Sequence, residues 1–392
     1  TSLLLMATPW QTFPIEFKGG LISNLSPLQH GTNAVGSATI LQNLEITKTG
    51  GYSKIKGYEK FDTSVVPGED VILGVKVINA SEALAVRSDG TQSVVYHSSG
   101  SGWTSLATAT YKGGKVRFEE LDFNQGRKIV FVDGINYPAV YDDTTNSVSY
   151  ITSLPDVLGA TFVAVFKNHT FYVKDTVLYY TAPQTYDNFD TGDAAGFLLM
   201  GETITGLSVF RDQLIVFCSN SIKRVTGSGF SDWNISPITD RMGCNNPDTI
   251  QEVGGDIMYV APDGLRLLSA TDRIGDFGLE IASDPISKDA ETFLGSTTVF
   301  SSLVIREKAQ YRIFAYSSSQ RRSTARGLIA TKVSAQGGSN IQWATTKGIK
   351  ASCRRLRYTS LLPATLLTGS GELTVLLTPL RFDELKTAKI SC

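Results

Sequence analysis

The chain is poor in the residues on which most metal and redox chemistry depends. Its four cysteines, Cys218, Cys244, Cys353 and Cys392, show no CxxC spacing, and its three histidines, His30, His97 and His169, lie far apart. A zinc site and a disulfide framework are therefore not expected in 392 residues. No run reaches 18 apolar residues, so no membrane-spanning helix is expected. The opening TSLLLMATPW lacks a basic segment and a sufficient apolar core, and does not read as a signal peptide. Met6 reads as a candidate initiator, with Thr1–Leu5 upstream of it. Blocks of Lys or Glu are missing, and the formal net charge is −1, which argues against a polycationic nucleic-acid binder. GxSxG, P-loop, HExxH and strand-linked GxGxxG motifs are also missing, so no enzyme and no cofactor are expected.

What is plentiful is strand and turn material. Hydrophobic residues make up 42% of the chain, with 36 Gly, 15 Tyr and 19 Phe, and this mix favours sheets over long helices. The stretch KIVFVDGINYPAVYD is two apolar arms around Asp133-Gly134, a dipeptide that accepts positive φ. The phrase recurs with turns at Asp89-Gly90, Asp175-Thr176, Asn220-Ser221, Asp263-Gly264 and Glu307-Lys308. From Asp89 the spacings are 44, 42, 45, 43 and 44 residues. A regular period near 44 with room for four strands predicts an all-β fold, a β-propeller of about six four-stranded repeats. Arms that are wholly apolar suit sheets covered on both faces by neighbouring blades.

The expected organisation is an N-terminal arm and hairpin over 1–69, the propeller over 70–350 and a C-terminal segment over 351–392. The N-terminal hairpin turns at Gly50-Gly51 and either joins late strands or stands apart. PISKDAETFLG, residues 285–295, predicts one short helix with Pro285 in its first turn. After Cys353 the chain turns Leu/Thr-rich and only GELTVLLT reads as a strand. That segment reads either as a closing strand with a tail or as a shifted reading frame over 353–392.

Candidate chemistry is sparse. SSGSGWTSL and GSGFSDWN carry the flavour of sialidase boxes without their Asp spacing, and Trp103 and Trp233 are expected to pack between blades. Asp187, Asp190 and Asp193 form the one acidic cluster; their D-x-x-D-x-x-D spacing does not meet the EF-hand pattern, and they read as a solvated loop, with an adventitious cation as the alternative. His97 and His169 flank hairpins and read as satisfied strand-edge residues. Arg321, Arg322 and Arg326 in SQRRSTARG form the one basic cluster, either a solvated loop tip or a contact for phosphate or an acidic partner.

The N-terminal sixty residues carry a family resemblance. Gly19-Gly20 is followed by Ser26-Pro27, then Asn43, then the turn Gly50-Gly51 with Lys54 and Gly57. In order and texture this stretch resembles the opening of the tail nozzle proteins (tail tubular protein B) of short-tailed bacteriophages. QWATTKGIKAS resembles a late-propeller stretch of the same family. The tail after Cys353 departs from it. The resemblance implies a structural virion protein of the phage tail, assembled as a homohexameric ring beneath the tail adaptor and beside tail fibre proteins. Its lumen would retain and pass genomic DNA, with Arg321, Arg322 and Arg326 as candidate channel or partner contacts. A binding scaffold of propeller fold, or a glycan-active propeller enzyme, are the alternatives. The first would be monomeric, and the second needs an acidic pair in the central cavity.

Overall fold

In the second strand of each repeat apolar side chains point to both faces, and in most repeats nearly every residue is buried. Lys128–Val132 and Asp256–Ala261 are buried throughout, as is Ala83–Ser88. Such a strand is stable only when sheets cover it on both sides, and that is the arrangement found in the computed structural model. The structure describes residues 17–26, 29–30, 36–49, 51–56, 61–62, 64–123, 126–244, 246–269, 281–295, 299–316, 326–335, 338–347, 353–354 and 375–376.

Two short strands, β1 (Leu44–Ile46) and β2 (Tyr52–Lys54), form an N-terminal hairpin. Antiparallel meanders follow. Blade 1 contains β3 (Ile72–Val77), β4 (Ala83–Ser88), β5 (Ser93–Ser98) and β6 (Trp103–Thr108). Blade 2 contains β7 (Arg117–Leu121), β8 (Lys128–Val132), β9 (Ala139–Asp142) and β10 (Ser147–Tyr150). Blade 3 contains β11 (Phe162–Phe166), β12 (His169–Lys174), β13 (Val177–Tyr180) and β14 (Gly196–Leu199). Blade 4 contains β15 (Ile204–Phe210), β16 (Gln213–Cys218), β17 (Ile222–Thr226) and β18 (Asn234–Thr239). Among the described residues blade 5 has three strands, β19 (Gln251–Val253), β20 (Asp256–Ala261) and β21 (Gly264–Leu267). A helix α1 (Ser287–Gly295) precedes blade 6, which contains β22 (Val299–Ile305), β23 (Gln310–Tyr316), β24 (Arg326–Ala335) and β25 (Gly338–Lys347). Among the described residues the fold is an all-β propeller of six blades.

Each pair of neighbouring blades from 1–2 to 5–6 shares its own apolar layer. Phe118, Phe131 and Tyr141 of blade 2 pack with Leu84 and Val86 of blade 1. Val140 packs with Val163 and Tyr172 across the next gap, and Phe171 with Leu214 and Val216 across the third. Phe217 meets Tyr259 at 5.3 Å between ring centroids, and Val260 and Tyr311 fall in the layer between blades 5 and 6. Gly74 shows how close the sheets come: a Cβ there would lie 2.8 Å from Val116 Cβ.

The turns expected at Asp89, Asp133, Asp175 and Asn220 join the second and third strands of their blades, and the one at Asp263 falls one residue early, on Pro262-Asp263. Glu307-Lys308 differs: it joins the first and second strands of blade 6. The corresponding turns at Asn168, Asp212, Gly255 and Lys308 are 44, 43 and 53 residues apart. The extra length before blade 6 includes α1, so the 44-residue step from Asp263 lands one strand short. The predicted helix is present, with Pro285 in the 3-10 turn that leads into it. Trp233 packs with Phe166 and Phe171 between blades 3 and 4, as expected. Trp103 instead meets the segment before blade 1, beside Phe61 and Val66, and donates to the Ser64 carbonyl at 3.3 Å.

The N-terminal hairpin joins the late strands. Thr345 N donates to the Leu41 carbonyl at 2.8 Å, Asn43 N to the Thr345 carbonyl at 2.8 Å, and Leu21 N to the Trp343 carbonyl at 2.8 Å. Glu45, 5% exposed at its side chain, pairs with both Lys308 and Arg312. In the C-terminal segment, 353–354 pairs in parallel with 375–376, the latter inside GELTVLLT. The reading-frame question over 353–392 otherwise lies outside the described residues.

Candidate functional site

The first strand of blade 2 carries charges at alternate positions, Lys115, Arg117 and Glu119, between the apolar Val116 and Phe118. With a strand period of two, the charges share one face and the apolar residues the other. Val116 and Phe118 enter the layer shared with blade 1. Arg117 and Glu119 line a cavity of about 310 Å³ on the propeller axis, bounded by the first strands of blades 2 to 6.

One end of the cavity is closed by an ion cluster that crosses the axis. Asp248 sits in the 3-10 turn Pro247–Thr249 ahead of β19. That turn is fixed from blade 6: the Ser302 hydroxyl donates to the Asp248 carbonyl, and the Tyr311 hydroxyl to the Thr249 carbonyl at 2.9 Å. Arg117 Nη2 reaches Asp248 Oδ1 at 3.3 Å, and Lys115 Nζ lies 2.9 Å from Oδ2. The Arg117 guanidinium also lies over the Phe162 ring, 4.4 Å from its centroid, and donates to the Thr161 carbonyl at 3.3 Å. Burial holds the Lys115 ammonium below the usual lysine range, against the pull of the adjacent Asp248 carboxylate.

Deeper along the same strand, Glu119 keeps a partly accessible face toward the cavity while lying far inside the molecule. Burial is the dominant influence and pushes its carboxyl up to about 7, against the Lys76 charge and the Val165 N–H, which favour ionisation. Glu120, the next residue, faces away and pairs with Lys76 at 3.3 Å. Toward the other end Arg306 stands 3.6 Å from Glu252. The arrangement can hold a small molecule between a cationic end and apolar walls. Three carboxylates line it, Glu119, Asp248 and Glu252, and of these Asp248 and Glu252 each pair with a cation.

No family model matches the chain, and no curated protein matches it. Solved structures are similar in shape. The extracellular domain of a hybrid two-component system from B. thetaiotaomicron has 10% identity over 73% of this chain and a TM-score of 0.43. The CNH domain of AfRom2 has 10% identity over 71% and a TM-score of 0.41. PorZ, a surface component of the type-IX secretion system of Porphyromonas gingivalis, has 12% identity over 71% and a TM-score of 0.38. The chain spans 36%, 97% and 39% of these three structures respectively.

The residues singled out from sequence lie elsewhere. Arg326 opens β24, exposed, opposite Ala315 and Lys347 in the sheet and away from the axial cavity. Arg321 and Arg322 lie outside the described residues. Asp190 caps the 3-10 turn Thr191–Asp193 by accepting from Gly192 N, and Asp193 accepts from the Asn188 amide at 2.8 Å. The ring of the buried His97 stacks on Tyr141, and that of His169 lies edge-on to Trp233.

The N-terminal motif forms a built structure. Gly20 adopts φ +73°, and a Cβ there would come within 3.0 Å of Gln342 Cβ on blade 6. Its N–H donates to the Tyr52 hydroxyl at 3.0 Å, which in turn donates to the Gly36 carbonyl. A Cβ on Gly19 would collide with the Ser37 backbone at 2.8 Å. Asn43 is left-handed at φ 58° where the chain leaves blade 6 for β1. Gly51 turns the hairpin, Lys54 pairs with Leu44, and the Ser26 carbonyl accepts from Gln29 N. Pro27, Gly50 and Gly57 lie outside the described residues.

Sequence reasoning passed over Lys115, Arg117, Glu119 and Asp248. The signal was present in GKVRFEEL, where three charges at alternate positions interrupt what otherwise reads as an apolar strand.

Proposed function

We propose that this protein is a structural component of a short phage tail, a nozzle subunit that assembles as a homohexameric ring in the virion. The observation that carries the reading is the N-terminal segment. Of the residues that carry the resemblance to tail nozzle proteins, Gly20 and Asn43 have positive φ where that segment knits onto the last blade, Gly19 lies tight against Ser37, and Gly51 turns the hairpin at positive φ. In this reading the ring contacts a tail adaptor and tail fibre proteins and retains and passes genomic DNA. The conduit then lies between subunits, because Arg117 and Asp248 join across the propeller axis beside a cavity of about 310 Å³. A near-neutral chain suits a conduit, since every neutralised phosphate adds salt-sensitive affinity that opposes ejection. The role needs no catalysis, and Arg321, Arg322 and Arg326 are the candidate contacts with DNA or a neighbour.

Electron microscopy of the purified protein and of virions tests the reading. Six-fold rings alone or in tails are the expected result. A monomer under all conditions that is missing from tails overturns it and favours the binding-scaffold alternative, to which the axial cavity lends weight.

A further inference from the structure

The ion cluster on the axis is unbalanced. Asp248 is the only carboxylate paired with either Lys115 or Arg117 among the described residues, so two cations share one anion. The other charges nearby are matched: Arg306 with Glu252, and Lys76 with Glu120. Lys115, with its side chain 16% exposed, has Asp248 as its one ion-pair partner among the described residues, at 2.9 Å. Arg117 carries five N–H donors, of which two are directed to Thr161 and Asp248. An uncompensated positive charge in a poorly hydrated cleft costs free energy that an incoming anion recovers. Next to it the cavity offers apolar walls from Phe162, Leu207, Ile250 and Val304. An apolar pocket of this volume with a few convergent polar groups has the usual make-up of a small-molecule site.

We propose that the axial cavity binds a small organic carboxylate, its anionic head held at Arg117 beside the Lys115 charge and its apolar body lying along Phe162, Leu207 and Val304. The head completes the charge balance of the Lys115–Asp248–Arg117 cluster. The body displaces water from the walls of β11, β15 and β22. Glu119 faces the same cavity, with Arg117 on its own strand, Lys76 on β3, the Val165 N–H on β11, and Glu252 and Arg306 across from it. In its protonated form it leaves the excess positive charge intact; ionised, it opposes the ligand. Affinity therefore falls as pH rises through 7. This inference does not depend on the protein being a nozzle subunit.

Benzoate, benzamide and benzylamine, which share an aromatic body and differ in head charge, provide the probe set. Binding is read by saturation-transfer NMR and by the thermal shift of the full chain. Benzoate is expected to bind at least about tenfold more tightly than either of the others. Arg117→Met is expected to weaken benzoate binding by at least about tenfold. Ser208→Trp fills the cavity while keeping every charge, and has the same expected effect. Circular dichroism confirms folding, and Ser208→Trp carries the test if Arg117→Met unfolds. Equal binding of benzylamine, no benzoate binding at ~10 mM, or unchanged affinity in the folded variants would each overturn the proposal.

Discussion

Arg117 and Asp248 are 131 residues apart in the chain and 3.3 Å apart in space, joined across the axis of the propeller. The contact exists only when blade 2 and the turn ahead of blade 5 have both taken their places. It ties the two sides of the molecule at a point where no backbone ladder does.

Removing the shared anion leaves two cations facing each other in a cleft. Asp248→Asn keeps the shape and is expected to cost about 3 kcal/mol, in the range for breaking a buried ion pair. Arg117→Met leaves Lys115 paired and is expected to cost less. Urea unfolding of both variants gives the order, and a larger loss for Arg117→Met would contradict it.

Glu119 makes stability depend on pH. Its carboxyl is raised from 4.5 to about 7 in the folded chain. Between those values the unfolded chain releases a proton that the folded chain keeps, so stability falls as pH rises through the window and levels above 7. The contribution is at most about 3 kcal/mol. Glu119→Gln mimics the neutral acid, and its unfolding free energy is expected to be flatter from pH 5 to pH 7.5 than that of the parent.

Glu45 fastens the N-terminal hairpin by pairing with Lys308 and Arg312. Glu45→Ala strips both of that carboxylate and is expected to cost about 3 kcal/mol. Hydrogen exchange should accelerate first at Leu44–Ile46. Uniform acceleration throughout all six blades would show that the hairpin is not a separable unit.

Gly20→Ala meets two penalties, a left-handed φ and the 3.0 Å approach to Gln342, whereas Gly51→Ala meets only the first. The expected cost at Gly20 is about 1–3 kcal/mol, with a smaller loss at Gly51. Thermal unfolding midpoints compare the two directly, and an equal loss would mean that blade 6 yields to the added methyl.

The repeat was legible because two local signals coincide: apolar arms buried on both faces, and Asp or Asn at turns such as Asp89 and Asp133, whose side chains accept the N–H groups two and three residues on. A fixed period then gave the number of sheets. It misplaced Glu307-Lys308 because periodicity counts residues and cannot see an insertion that carries its own short helix. Trp103 was misassigned for a related reason: its partners Phe61 and Val66 come from a segment with no strand pattern. The axial cluster was visible in GKVRFEEL only as a break in apolarity. Its partner Asp248 lies in a short turn, and sequence spacing holds no information on which charges meet across an axis.

The seam between Leu41–Asn43 and Thr345 has a consequence in time. The segment Leu41–Asn43 cannot reach its partner Thr345 until the last blade has been synthesised. At ribosomal rates of 5–20 residues per second, that is a wait of roughly 15–60 s. During it the apolar Leu41 and Ile46, fully buried in the finished protein, stand without their cover. Non-local closure of this kind makes folding slow and leaves the nascent chain open to association with other chains. A circular permutant that begins at the α1 segment and joins the old termini would place both sides of the seam together early, and should refold faster without any change in its contacts.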